Sequence, residues 1–167
     1  QRQMCIETVY EQGHSLLSAA GYQQYETSAY AKPGYQCQHN LNYWRFGDYL
    51  GIGCGAHGKV TFPDGRILRT AKTRHPRGYM EGRYLERQHD VEDADKPFEF
   101  FMNRFRLLEA APRDEFSRYT GLDERTIRPQ IDAAIAEGYL TEDERYWQIT
   151  EHGKLFLNSL LELFLSE

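Results

Sequence analysis

Lys59-Val60-Thr61-Phe62-Pro63-Asp64-Gly65-Arg66-Ile67-Leu68-Arg69-Thr70-Ala71-Lys72 decides how the middle of this chain folds. Two runs of strand-forming residues, Lys59 to Phe62 and Arg66 to Lys72, flank Pro63-Asp64-Gly65. Proline presets the first turn torsion, aspartate bonds its own backbone, and glycine accepts a positive φ, so the stretch predicts a hairpin. Just upstream, Leu50-Gly51-Ile52-Gly53-Cys54-Gly55-Ala56 has glycine at every second position. As a strand it would leave one face bare, open to a neighbouring backbone or a flat ligand. Farther upstream, Gln36 to Tyr49 reads as an aromatic and polar loop, and Tyr25 to Tyr30 as a short strand meeting a turn at Lys32-Pro33-Gly34. Ile6, Val9, Tyr10, Gly13, Leu16, Leu17 and Ala20 fall on one helical face, which predicts a helix over 4–20 capped by Gly21.

Downstream the period changes. Phe98, Phe101, Met102, Phe105 and Leu108, with Leu107 beside them, predict a helix over 97–111 that Pro112 breaks. A second helix over 113–120 closes at Gly121. Asp123 caps a third that Pro129 kinks or delays and Gly138 ends. Tyr139-Leu140 and Tyr146 to Ile149 frame a hairpin, and Thr150-Glu151-His152-Gly153 opens a last helix. Three helices, a hairpin and a helix form a winged-helix order.

The 167 residues, 40% hydrophobic with a mean hydropathy of -0.73, describe a soluble globular chain with no membrane span. No internal repeat, low-complexity tract or secretory signal appears, and a first residue other than Met suits a piece of a longer protein. Cys5, Cys37 and Cys54 are odd in number and widely spaced, so neither a disulfide framework nor a paired-cysteine zinc site is expected, and a reducing cytoplasm is the simplest setting. Residues 1–95 carry 11 basic and 11 acidic side chains and residues 96–167 carry 9 and 14, so the net charge of -5 lies in the second part. Within the first part, Lys59 to Arg87 holds eight cations against three anions, either a solvated face or a seat for an anionic ligand. The segment from Asp123 to Glu137 is net acidic where phosphate contacts demand cations, which speaks against DNA as a partner.

His39-Asn40-Leu41-Asn42-Tyr43-Trp44 concentrates functional side chains. A neutral imidazole ligates iron, and Tyr43 and Trp44 suit the face of a porphyrin; equally, such a histidine and two aromatics serve as hydrogen-bonded core. There is no C-x-x-C-H for covalent haem attachment, and Gly51, Gly53 and Gly55 fail the G-x-G-x-x-G spacing of a dinucleotide loop. His57 and Lys59 stand where they would face the same ligand as the glycines.

The run from Tyr25 through Trp44 and Gly51 to His57, with Ile149-Thr150-Glu151-His152-Gly153, resembles the C-terminal part of the HemW family. That family belongs to the radical S-adenosylmethionine proteins related to oxygen-independent coproporphyrinogen III oxidase. The H-N-x-x-Y-W element at His39 to Trp44 is its most specific mark. By this resemblance His39 is the haem-iron contact; read from their own chemistry and placement, Asn40, Tyr43, Trp44, Gly53, Gly55 and His57 complete the candidate cofactor-binding set. The implied fold class is α+β, with the last strands and helices of an incomplete radical SAM α/β barrel over 1–75. A connecting segment over 76–94 and a winged-helix-like C-terminal helical domain over 95–167 would follow.

The resemblance implies a haem chaperone whose partners are haem and acceptor haemoproteins. The alternatives are a part of an oxygen-independent coproporphyrinogen III oxidase and a winged-helix protein-docking module. A [4Fe-4S] cluster and S-adenosylmethionine are implied only for the longer parent, since Cys5, Cys37 and Cys54 cannot give C-x-x-x-C-x-x-C. Strands cut from a barrel would expose their edges, so self-association is also expected.

Overall fold

The computed structural model describes residues 2–166, and the side chains of residues 9–166. Helix α1 (Arg2–Ala19) leads to a hairpin of β1 (Gln23–Glu26) and β2 (Ala29–Ala31), then to α2 (Gln38–Trp44). Next come β3 (His57–Thr61), β4 (Ile67–Lys72), the short helix α3 (Pro76–Met80) and β5 (Leu85–Asp90). The second half runs α4 (Lys96–Arg104), β6 (Ala111–Pro112), α5 (Arg113–Thr120), a 3-10 turn (Glu124–Ile127) and α6 (Arg128–Ala136). It closes with β7 (Leu140–Glu142), β8 (Tyr146–Ile149), α7 (Glu151–Leu155) and α8 (Leu157–Glu162).

The expected hairpin forms: β3 and β4 pair antiparallel around Gly65, whose φ is 82°, while Asp64 Oδ1 accepts from the Arg66 N–H at 3.0 Å. A third strand escaped the sequence reading. The segment 76–94, expected as a connection, folds as α3 and β5, and β5 pairs antiparallel with β4. Its charged sequence hides a strand that is exposed along its whole length at the sheet edge. The fold is thus mixed helix and sheet, and every ladder among the described residues is antiparallel.

Three other readings change. Tyr25 to Tyr30 is two strands, because the chain reverses at Thr27-Ser28 where buried Glu26 accepts from the Ser28 N–H at 2.9 Å and its hydroxyl at 2.8 Å. Helix α1 and its glycine cap form as expected, yet Val9 and Leu16 on its apolar face are exposed; Cys5 and Ile6 lie outside the described side chains. The helix expected over 97–111 stops at Arg104. There the chain turns so that the Leu108 N–H donates to the Tyr25 carbonyl and the Arg106 carbonyl accepts from Thr27, which buries Leu107 in place of Leu108.

The core is aromatic and sits mainly in the second half. Phe101 lies within 4.3 to 5.8 Å, centroid to centroid, of Phe105, Phe116, Trp147 and Phe164, and Phe46, Ile67 and Val91 join the cluster from the first half. Burial of side chains this large supplies most of the local stabilisation. As expected, α5 ends at Gly121, and Asp123 caps the following turn by accepting from the Arg125 N–H at 2.8 Å. The last helix, read as one, is two, broken at Phe156.

Thr150 caps α7, accepting from the Gly153 N–H at 2.9 Å and donating to the Gly138 carbonyl at 2.7 Å. Thr150→Ala is expected to cost about 1 kcal/mol, the ordinary worth of an N-cap. A urea midpoint unchanged by the substitution would remove the cap from the account.

Candidate functional site

Helix α2 replaces the loop expected over Gln36 to Tyr49. Leu41 anchors its buried side, and the i,i+4 spacing puts His39 and Tyr43 on one face. The Tyr43 hydroxyl lies 2.8 Å from His39 Nε2, with the rings edge to face at 4.6 Å. Tyr43 in turn meets Tyr49 edge-on at 4.5 Å. The His39–Tyr43 hydrogen bond fixes the imidazole plane, as outer-sphere partners of metal-binding histidines do.

Two residues beyond the end of the helix, Phe46 takes a φ of 60°, the left-handed region that a bulky residue enters at a cost. The cost is offset from three sides: the ring is buried at 5.4 Å from Phe100, Asn42 Nδ2 holds the Asp48 carbonyl at 2.9 Å, and Lys59 comes beneath. Lys59 is 1% exposed, and its ammonium donates to the Phe46 carbonyl (2.9 Å), Asp48 Oδ1 (2.9 Å) and Thr61 Oγ1 (2.8 Å). All three protons are used, so Lys59 is a brace between β3 and the end of α2. Burial pushes its pKa down, against the pull of Asp48. Burial works to raise the Asp48 carboxyl, but hydrogen bonds from the Thr61 N–H, Lys59 and the Thr61 hydroxyl outweigh it and hold the group below the usual range.

Around this brace opens a cleft of about 360 Å³, walled by Tyr43, Trp44, Phe46 and Tyr49 and floored by His57, Lys59 and Arg69, with Gly47 and Asn103 at its margins. Four of the residues singled out in sequence therefore meet: Tyr43, Trp44, His57 and Lys59. His39 and Asn40 are both absent from the lining: His39 is exposed and reaches the cleft only through its hydrogen bond to Tyr43, and Asn40 is half-buried. The Trp44 indole carries the Arg106 guanidinium at 4.4 Å, and its buried N–H has no acceptor among the described residues. A buried donor left open in a cleft wall is unusual.

Gly53 and Gly55 lie outside this cleft, and the stretch around them is not the expected strand. Their φ values of 102° and 67° bend the chain, and Gly51 presses so closely on His57 that an added Cβ would lie 2.4 Å from its carbonyl oxygen. The Gly53 N–H donates to the Tyr79 hydroxyl and the Gly55 N–H to the Thr73 carbonyl, each at 3.0 Å. The glycines thus build a tight loop with Leu50 and Ile52 exposed at its tip, and they pave no ligand floor.

Most cations of the Lys59–Arg87 segment are paired with acids. Besides Lys59–Asp48, Arg69 binds Glu99 on α4, Arg66 meets Asp90 at 3.4 Å, Arg83 meets Glu81 at 2.7 Å, and Arg74 approaches Glu86 at 3.8 Å. The sequence singled out Arg69 only as one of the eight cations of that segment, and it gave no sign of Tyr49, Glu99 and Asn103 as members of the site. Strand alternation from His57 and Lys59 was a usable signal for Arg69, but nothing local places Glu99 or Asn103 there. Among the described residues no three of His, Cys, Asp and Glu gather as metal ligands, and Cys37 and Cys54 are separately exposed, so these residues do not fit an iron–sulfur cluster.

The family described as the HemN C-terminal domain matches residues 91–156. The haem chaperone HemW of Escherichia coli K12 is 84% identical over 95% of this chain and 42% of its own length. That of Haemophilus influenzae is 67% identical over the same shares. The chain thus spans about two fifths of the curated relatives it matches. Among solved structures, the coproporphyrinogen III oxidase HemN of Escherichia coli, described as a radical SAM enzyme, superimposes on 93% of this chain and 40% of its own. The TM-score is 0.65 at 14% identity, a likeness of fold.

Proposed function

Since the chain belongs to the HemW family, and the relatives it resembles are named haem chaperones, we propose that it carries the haem-holding face of such a chaperone. His39 contacts the iron, and Tyr43, Trp44 and Tyr49 lie against the macrocycle. The observation that carries the reading is the junction of the His39–Tyr43 pair with the aromatic-walled cleft. A flat, apolar ligand with a metal centre asks for an aromatic slot and an imidazole at its edge. His57 lines the cleft as a second imidazole, and Asn40 lies on the same helix as His39 but outside the lining.

Haem here is cargo, passed on to acceptor haemoproteins. A [4Fe-4S] cluster and S-adenosylmethionine belong, in this reading, to the remainder of the longer protein. The fold likeness to HemN, described as a radical SAM enzyme, supports reading the chain as part of such a protein, while the antiparallel ladders of its first part are not the parallel strands of an α/β barrel. The order α4, β6, α5, α6, β7, β8 supports a winged-helix-like unit over 95–167, while β5 ties 76–94 to the sheet of the first part. That second unit is read as a packing or docking element rather than a DNA reader, because Arg125 pairs with Asp123 and Arg128 with Asp132 and Glu142. No helix among the described residues is long and apolar enough to cross a membrane, which fits a cytoplasmic setting. The oxidase reading draws on the fold alone.

The test is an optical haem titration, following the Soret band, of the chain beside its His39→Ala and Tyr43→Phe variants. Wild type is expected to bind saturably, and His39→Ala to bind about a hundredfold more weakly. Tyr43→Phe, which frees the imidazole, should cost about tenfold, the lower end for an outer-sphere partner. Equal binding by wild type and His39→Ala would overturn His39 as the ligand, and no binding by wild type would overturn the haem reading of this cleft.

A further inference from the structure

A second cleft, of about 260 Å³, adjoins the first and shares Tyr49, His57 and Arg69 with it. Its floor is the β3–β5 sheet face. The register sets Ala71 opposite His57 on one side and Arg87 on the other, and Arg69 between Lys59 and His89. Alternation along each strand puts these side chains on one face, with the small Ala71 at its centre.

The charges of this face cancel unevenly. Lys59 is bound to Asp48, and Arg69 is bound to Glu99 and donates to the Tyr49 hydroxyl at 2.9 Å. Arg87 enters none of the ion pairs among the described residues that hold its neighbours Arg66, Arg69, Arg74 and Arg83. Among the described residues it is therefore the one uncancelled permanent charge in the lining of the joined clefts, and two imidazoles share that lining, His89 two residues along β5 and His57 across Ala71. The joined cleft is amphiphilic along its length, with aromatic walls at the α2 end and an open guanidinium at the β5 end.

We propose that Arg87, assisted by His89 and His57, seats the carboxylate edge of an amphiphilic ligand whose flat body lies along Tyr43 and Tyr49. This inference rests on the haem reading of the same cleft, where the carboxylates are the two propionates. It gives the ligand a direction: propionates toward β5 and the iron toward α2. Arg69 acts as a positioning residue, since its fork is already held by Glu99. A cation on an edge strand also discourages edge-to-edge pairing, but that role is indifferent to the ligand's carboxylates.

The test compares haem with its dimethyl ester, in which both propionates are neutral, on wild type, Arg87→Ala and Arg87→Lys. Arg87 is exposed on an edge strand, and circular dichroism verifies that the variants keep the fold. Wild type should prefer haem over the ester by about tenfold, the worth of one charge-assisted hydrogen bond. Arg87→Ala should lower haem affinity to the level of the ester and leave the ester unchanged, and Arg87→Lys should retain part of the preference. Equal wild-type affinity for haem and ester, or a preference that survives in Arg87→Ala, overturns the carboxylate seat and leaves the haem reading standing. Failure of wild type to bind either tetrapyrrole overturns both.

Discussion

Arg104→Ala is expected to cost about 3 kcal/mol, because it strips the buried cation from an ion network and leaves the largely buried Glu115 without its close partner, while Glu109 keeps Arg45. Arg104 is 2% exposed, and every edge of its guanidinium is used. Nε donates to Glu115 at 3.0 Å, Nη1 to Glu109 at 3.1 Å and Nη2 to the Ala110 carbonyl at 3.1 Å. Without it Glu115 keeps, among the described residues, only the ion pair with Arg118 at 3.7 Å, and the turn that carries Leu107 into the core loses its clamp. Arg104→Lys should recover less than half of the loss, since an ammonium cannot span three acceptors arranged for a planar fork. Urea denaturation measures both, and a loss under about 1 kcal/mol for the alanine variant would show the network to be incidental.

The same network sets an acid limb. A hydrogen bond from Arg45 pulls the Glu109 carboxyl below the usual range, against burial and with help from Arg104. A carboxyl depressed on folding contributes stability that is complete above its unfolded pKa, near 4.3, and is lost as the pH falls through the lower folded value. The urea midpoint of wild type should therefore fall on acidification below about pH 4.5. In Arg104→Ala that fall should be shallower, and equal slopes in the two proteins would contradict the assignment.

Gly65→Ala should be as damaging, at about 3 kcal/mol, for two reasons that combine. Gly65 has a φ of 82°, and an added Cβ would lie 2.6 Å from the Gly121 Cα and 3.0 Å from the Thr120 carbonyl oxygen. The hairpin turn of β3–β4 is thus pressed backbone to backbone against the end of α5, and this contact joins the cleft's sheet to the aromatic core. Gly82 is the control, since its φ is 89° but an added Cβ would meet nothing within 4 Å. Gly82→Ala should lose only the conformational part, about 1 kcal/mol. Denaturation midpoints that move equally for the two variants would show that the close approach at Gly65 carries no weight. Haem affinity should fall in Gly65→Ala alone, because only there does the floor of the cleft shift.

Local chemistry wrote much of this fold into the sequence. Pro63-Asp64-Gly65 determined a hairpin, Gly121 and Asp123 ended one helix and capped the next turn, and the i,i+4 spacing of His39 and Tyr43 placed both on whichever helix face they came to share. Each signal acts within a few residues, where torsional preference and short hydrogen bonds decide. The glycines of 51–55 show where such reading stops. Alternation suits a strand and a tight loop alike, and only the press of Gly51 on His57 chose the loop. The charged segment 85–90 became a strand because β4 offered it an open edge, a fact absent from its own residues.

What tertiary structure alone decided is the site's electrostatics and shape. Lys59 and Arg69 read in sequence as members of a cationic run. Folding matched them with Asp48, 11 residues away, and Glu99, 30 residues away, so that Arg87 is left as the open charge of the joined cleft. Burial demands that charges find partners, and which partners are within reach is a property of packing, not of sequence proximity.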